Sequence, residues 1–139
     1  MANVIHMQDM RYLNLFGKIT KVQTRFYLDY NGALVFCVPK SLVSKAVGRG
    51  GENVRRMSGI LRKRIKVVSQ PKGSENIKDF IESIVSPVTF KDVEVKDNEV
   101  VLDAGGTQNK ASLIGRNKRR FLEMQKIIRN YFGKEFRII

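Results

Sequence analysis

Two stretches of this chain set glycine and arginine side by side in a pattern suited to holding an anion. The first is "VGRGGENVRR", Val47 to Arg56; the second, sixty-seven positions later, is "IGRNKRRF", Ile114 to Phe121. In the first, Gly48 and Gly51 permit a sharp backbone turn and keep Cβ atoms away from an approaching partner. Arg49 and Gly50 lie between them, and the planar guanidinium of Arg49 can take two phosphate oxygens at once. A helix is expected to begin directly after the turn. The free N–H groups and partial positive charge of a helix N-terminus also favour a phosphate. Arg55 and Arg56 follow one turn later and lengthen the basic track.

In the second stretch Ile114, Gly115 and Arg116 repeat Val47, Gly48 and Arg49, but Asn117 and Lys118 stand in place of Gly50 and Gly51. A Cβ at position 118 is expected to hinder close backbone approach. If the site needs a positive φ, it costs a further ~1 kcal/mol. Charge has been added in exchange: Lys118, Arg119 and Arg120 form a run, with Lys126 and Arg129 further along the same helix. This turn is therefore expected to hold phosphates through side chains, contributing affinity more than base discrimination, since phosphate contacts position and base contacts specify.

The charge of the whole chain agrees with an anionic partner. Its 139 residues carry a formal net charge of +13, divided as +2 over 1–39, +8 over 40–70, −4 over 71–103 and +7 over 104–139. The positive charge thus sits in the two segments that hold the repeated stretch, which a generally basic surface would not produce. A membrane surface is disfavoured, because neither basic segment has aromatic and leucine residues beyond those a core needs. With 42% hydrophobic and 28% charged residues the chain should fold. The single cysteine, Cys37, cannot form an internal disulfide, and there is no secretory leader or apolar run of spanning length, so the expected location is cytoplasmic.

Other residue types do not assemble into catalytic chemistry. His6 is the only histidine and makes neither a metal site nor a triad. Cys37 follows Phe36 on an expected strand and reads as a small core hydrophobe. Asp92, Glu94, Asp97, Glu99 and Asp103 alternate with Val93, Val95 and Val100, the pattern of a hairpin's wet face rather than of an acid/base pair. Neither glycine run continues into the Gly-Lys-Ser/Thr of a nucleotide-binding loop. The expectation is a protein without enzymatic activity, cofactor or metal.

The elements that must position the two turns come twice in the same order. "HMQDMRYLNLF" carries Met7, Met10, Leu13 and Phe16 at a rough helical spacing. "TRFYLDY" and "ALVFCVP" follow as strands about Asn31-Gly32, a pair that supplies the positive torsions of a tight hairpin. "KSLVSKAV" reads as a helix, then the glycine turn, then a helix with Val54, Met57 and Leu61 on one side, then "RIKVV" as a strand. After the turn formers "QPKGS", the second set runs "ENIKDFIESIV" (helix), "VTFKDVEV" and "EVVLDA" (strands about Asp97-Asn98), and "AGGT" with Thr107 as a helix N-cap. Two helices about Gly115 and the strand "EFRII" complete it. This predicts an α+β protein of two small domains, 1–70 and 75–139, joined by a linker at 71–74 short enough to hold them in one fixed relation.

An aliphatic residue before Gly-x-x-Gly, between two helices, resembles the signature loop of KH domains. The element order resembles type II, in which the extra helix and strand come first and a three-stranded sheet is packed by helices. Two such units in tandem resemble archaeal NusA-like transcription factors. The resemblance implies single-stranded RNA binding in transcription elongation or termination, with the nascent transcript and RNA polymerase as partners and the protein a monomer. It implies a clamp on the backbone of about four nucleotides at each loop, both along one strand, with bases in an apolar groove. Val47, Val54 and Ile65 are candidates for that groove; Met57 and Leu61 belong to the core. An alternative within the resemblance is a ribosome-associated protein binding ribosomal RNA, since a type II KH unit also occurs in a small-subunit ribosomal protein.

Overall fold

The computed structural model describes residues 7–24, 26–71 and 76–139, with side-chain surroundings in the first helix from Met10 onward. His6 and most of the expected linker lie outside the described residues. The chain divides into two compact units, Met1–Gln70 and Pro71–Ile139. The fold is α+β, with helices on small mixed sheets, compatible with KH-type folds.

In the first unit α1 (Met7–Thr20) precedes β1 (Phe26–Tyr30) and β2 (Ala33–Val38). Asn31 and Gly32 have φ of 51° and 76°, the two positive torsions of a tight hairpin. A single 3₁₀ turn leads into α2 (Val43–Val47); the glycine turn, α3 (Glu52–Leu61) and β3 (Arg64–Ser69) follow. β2 is the centre of the sheet, antiparallel to β1 and parallel to β3, with Leu34 opposite Ile65 and Phe36 opposite Val67. All six residues of β2 are buried, as an apolar run in a central strand requires. Cys37 is among them.

The core of this unit is Phe16, Val22, Leu34, Phe36, Val38, Ala46, Met57 and Ile65. Phe16 stacks on Phe36 with ring centroids 4.4 Å apart, tying α1 to the sheet; such burial stabilises by about 1.5–3 kcal/mol per large side chain. Ile65 is therefore a core residue and is not available to a groove. Met10 is 52% exposed. A strict spacing of three drifts about 60° per step round a helix, so Met10 ends up well away from the face that Phe16 buries. The helix also runs one turn past Phe16, to Thr20, whose hydroxyl donates to Phe16 O at 2.7 Å and accepts from the Val22 N–H at 3.0 Å.

The second unit repeats the order as α4 (Ile77–Val85), β4 (Asp92–Val95), β5 (Glu99–Asp103), α5 (Thr107–Ile114), α6 (Arg119–Phe132) and β6 (Glu135–Ile138). β5 is antiparallel to β4 and parallel to β6, with Val93 opposite Leu102 and Val100 opposite Phe136. Leu113 and Met124 are buried at the positions that Ala46 and Met57 hold in the first unit. Two expectations need correction. β4 covers only the second half of "VTFKDVEV", because the Val88 N–H still closes a turn onto Val85 O at 3.0 Å and pairing begins with Lys91 N–H on Asp103 O. Gly106, not Thr107, occupies the cap position of α5, and no side chain caps that end.

Candidate nucleic-acid interface

Both turns follow one backbone path. Gly48 has φ, ψ of 83°, 167° and Gly115 has 77°, 172°. Gly50 at 61°, 22° corresponds to Asn117 at 57°, 30°, and Gly51 at 76°, 19° to Lys118 at 59°, 22°. Gly51 N–H donates to Gly48 O at 3.1 Å, and Lys118 N–H to Gly115 O at 3.2 Å. Replacing two glycines has left the turn unchanged in shape.

The torsions explain which glycine could be lost. The first combines positive φ with extended ψ, a region essentially confined to glycine. A Cβ on Gly48 would lie 2.9 Å from Asn53 N, Cγ and Nδ2, and one on Gly115 would lie 2.9 Å from Arg120 Cγ. The third and fourth positions are left-handed helical, where Asn is tolerated well and Lys at a cost of about 1 kcal/mol. A Cβ on Gly50 would meet nothing within 4 Å, and one on Gly51 only the end of Arg55 at 3.4 Å. Gly115 had to stay; Gly51's counterpart could become Lys118 with a torsional penalty and no clash.

The cations fall into two groups. Arg49, Arg56, Arg116, Lys118 and Arg119 are exposed, and none of them forms an ion pair among the described residues. Others are engaged. Arg55 Nη1 donates to Gly50 O within the first turn. Arg120 is half-buried and donates from Nη1 to Ser112 O at 2.9 Å. Arg129 holds Glu135 Oε2 at 2.8 Å, so the basic track expected along α6 is neutralised at that point. Nearer the turn, Arg116, Asn117, Arg119, Leu122, Glu123 and Lys126 line an open depression of about 580 Å³.

The helix that follows each turn differs in sign. α3 has Glu52 in its first turn, whereas α6 begins with Arg119 and has no acidic residue there. A carboxylate at a helix N-terminus already answers the dipole and opposes an incoming anion; a cation there reinforces the attraction. The second turn is thus the more electropositive. Glu52 was visible in "GRGGENV" and is the residue that the charge pattern should have singled out. Val47, Val54 and Ile114 are half-buried, and Val54 packs against the first core, leaving part of each for a ligand.

Three carboxylates of the second hairpin, Asp92, Glu99 and Asp103, are held locally. Asp92 pairs with Lys78 at 3.1 Å, and Glu99 with Arg137 at 3.2 Å and Lys96 at 3.8 Å. The Val93 N–H and Lys78 hold the Asp92 carboxyl below its ordinary pKa, while Asp92 raises that of Lys78. Asp103 Oδ1 accepts from the Gly105 N–H at 3.0 Å. Among the described residues no three His, Cys, Asp or Glu side chains gather as a metal site, and no helix is long and apolar enough to cross a membrane.

Comparison with known proteins gives a curated relative and a likeness of fold. No family model matches the chain. Over 92 residues it is 30% identical to a "Probable transcription termination protein NusA" from Methanococcus vannielii, an alignment covering 66% of this chain and 51% of that protein. The chain therefore spans about half the length of the curated relative it matches. A solved structure described as "Crystal structure of APE1850" matches with a TM-score of 0.69 over 97% of this chain and 99% of its own, at 23% identity.

Proposed function

We propose that this chain is a non-catalytic, NusA-like factor that binds single-stranded RNA during transcription, each unit acting as a type II KH domain. The observation that carries the reading is the pair of turns with matching torsions, each opening onto a helix N-terminus and ringed by exposed cations without carboxylate partners. A phosphate diester fits this arrangement. It meets the turn's backbone where no Cβ intervenes, the N-terminal N–H groups of the next helix, and the guanidinium of Arg49 or Arg116. The similarity to a protein named for transcription termination, together with a net charge of +13 whose excess lies in the two segments that hold the turns, supports a transcript as the ligand and RNA polymerase as a second partner.

The two clamps divide the work. In the first, Gly50 and Gly51 leave the backbone open to close approach, with Val47 and Val54 beside it for a base. In the second, Arg116, Lys118 and Arg119 supply charge in place of that access, so it adds affinity with little sequence preference. Ultraviolet crosslinking to a single-stranded RNA, mapped by mass spectrometry, should place adducts within residues 46–57 and 113–124. Adducts confined to other parts of the chain, or none, would refute the reading.

A further inference from the structure

We infer that Asn53 and Arg120 are one device in two chemical forms: a side-chain donor that staples together the helices flanking each turn and so aims the turn's phosphate-facing groups. Each lies five residues after the first glycine of its turn. Asn53 Nδ2 donates to Lys45 O at 3.3 Å, and Arg120 Nη1 donates to Ser112 O at 2.9 Å. Each acceptor lies three residues before that glycine. The backbone ladder of the incoming helix ends one carbonyl earlier, where Gly48 N–H meets Ser44 O and Gly115 N–H meets Ala111 O. The next carbonyl has no helical donor to turn to. In both units the staple answers it.

The first glycine belongs to the same device. The residue that carries the staple packs against its open face: a Cβ there would come within 2.9 Å of both the backbone N and Nδ2 of Asn53 in one unit, and within 2.9 Å of Arg120 Cγ and 3.2 Å of its backbone N in the other. What the two units share is therefore a donor at this position, not a charge: asparagine is neutral. Arg120 parts company here with Arg116 and Arg119, which are exposed and have no acceptor among the described residues. It is a positioning residue, although it sits in the middle of a basic run.

The functional half of this inference rests on the RNA-binding reading; the geometric half does not. The test uses the full chain and a fluorescein-labelled single-stranded RNA titrated across a range of KCl. Arg120→Ala should weaken binding about fivefold, the effect of one lost hydrogen bond, and leave the salt slope unchanged. Arg120→Asn, which copies the first unit's staple, should restore affinity to within about twofold, and Asn53→Arg should be equally tolerated. Arg116→Ala, by contrast, should flatten the slope by about 0.7, the signature of one lost phosphate contact. A slope flattened alike by Arg120→Asn would make Arg120 a phosphate ligand and overturn the inference.

Amide hydrogen exchange without RNA supplies the second readout. Arg120→Ala should speed exchange across Gly115 to Arg119, and Arg120→Asn should not. Unchanged exchange in Arg120→Ala refutes the staple whatever the RNA result. Failure of the unaltered protein to bind RNA refutes the proposed function and leaves exchange to decide the staple.

Discussion

Gly115 and Lys118 lie in one turn and should respond to substitution in opposite directions. Gly115 holds torsions that only glycine adopts freely and has Arg120 against it, so Gly115→Ala should destabilise by about 2 kcal/mol or more. Lys118 occupies a left-handed position with φ of 59°, and Lys118→Gly should raise stability by about 0.5–1 kcal/mol. The same change removes a cation from the proposed clamp, so RNA affinity should fall as stability rises. Urea denaturation paired with an RNA titration checks both signs. A Lys118→Gly protein that is less stable than the original would contradict the torsional account.

Between elements, the exposed Asp92–Lys78 pair joins β4 to α4 and illustrates how little such a contact decides. The side chains are 65% and 48% exposed, so water screens the attraction. Asp92 titrates below its ordinary pKa in the fold. Its contribution is present above the unfolded carboxylate value of ~3.9 and is lost as pH falls through the lower folded value. Lys78→Ala should move the Asp92 titration, followed by NMR, upward toward the ordinary value, stopping short of it because the Val93 N–H remains. A titration that stayed put would mean that the backbone bond alone sets it.

Element order was legible because its signals are local. Asn31-Gly32 names its own turn, and an apolar run such as "ALVFCV" declares a central strand. Limits were less legible because neighbours set them: Val88 reads as strand by type but closes a turn on Val85, and Met10 reads as core by spacing but faces water. At the site, both turns and their exposed cations could be read from residue type. The staple could not, since the same position holds asparagine in one unit and arginine in the other. Nor could the equality of the turns, because a lysine in left-handed torsions is imposed by the helices on either side and not by its own preference.

For the whole molecule, the uneven distribution of charge is the property that function would exploit. In the −4 segment Asp92 and Glu99 are paired, with Lys78, Lys96 and Arg137, whereas Arg49, Arg56, Arg116, Lys118 and Arg119 beside the two turns form no ion pair among the described residues. If the two clamps together neutralise about six phosphates of a single strand, the logarithm of affinity should fall with a slope near −4 against the logarithm of salt. The most direct measurement is the affinity of the full chain for single-stranded RNA at 50 and 200 mM KCl. A loss of roughly 300-fold is expected; an affinity that hardly changes across that range would contradict the phosphate clamps.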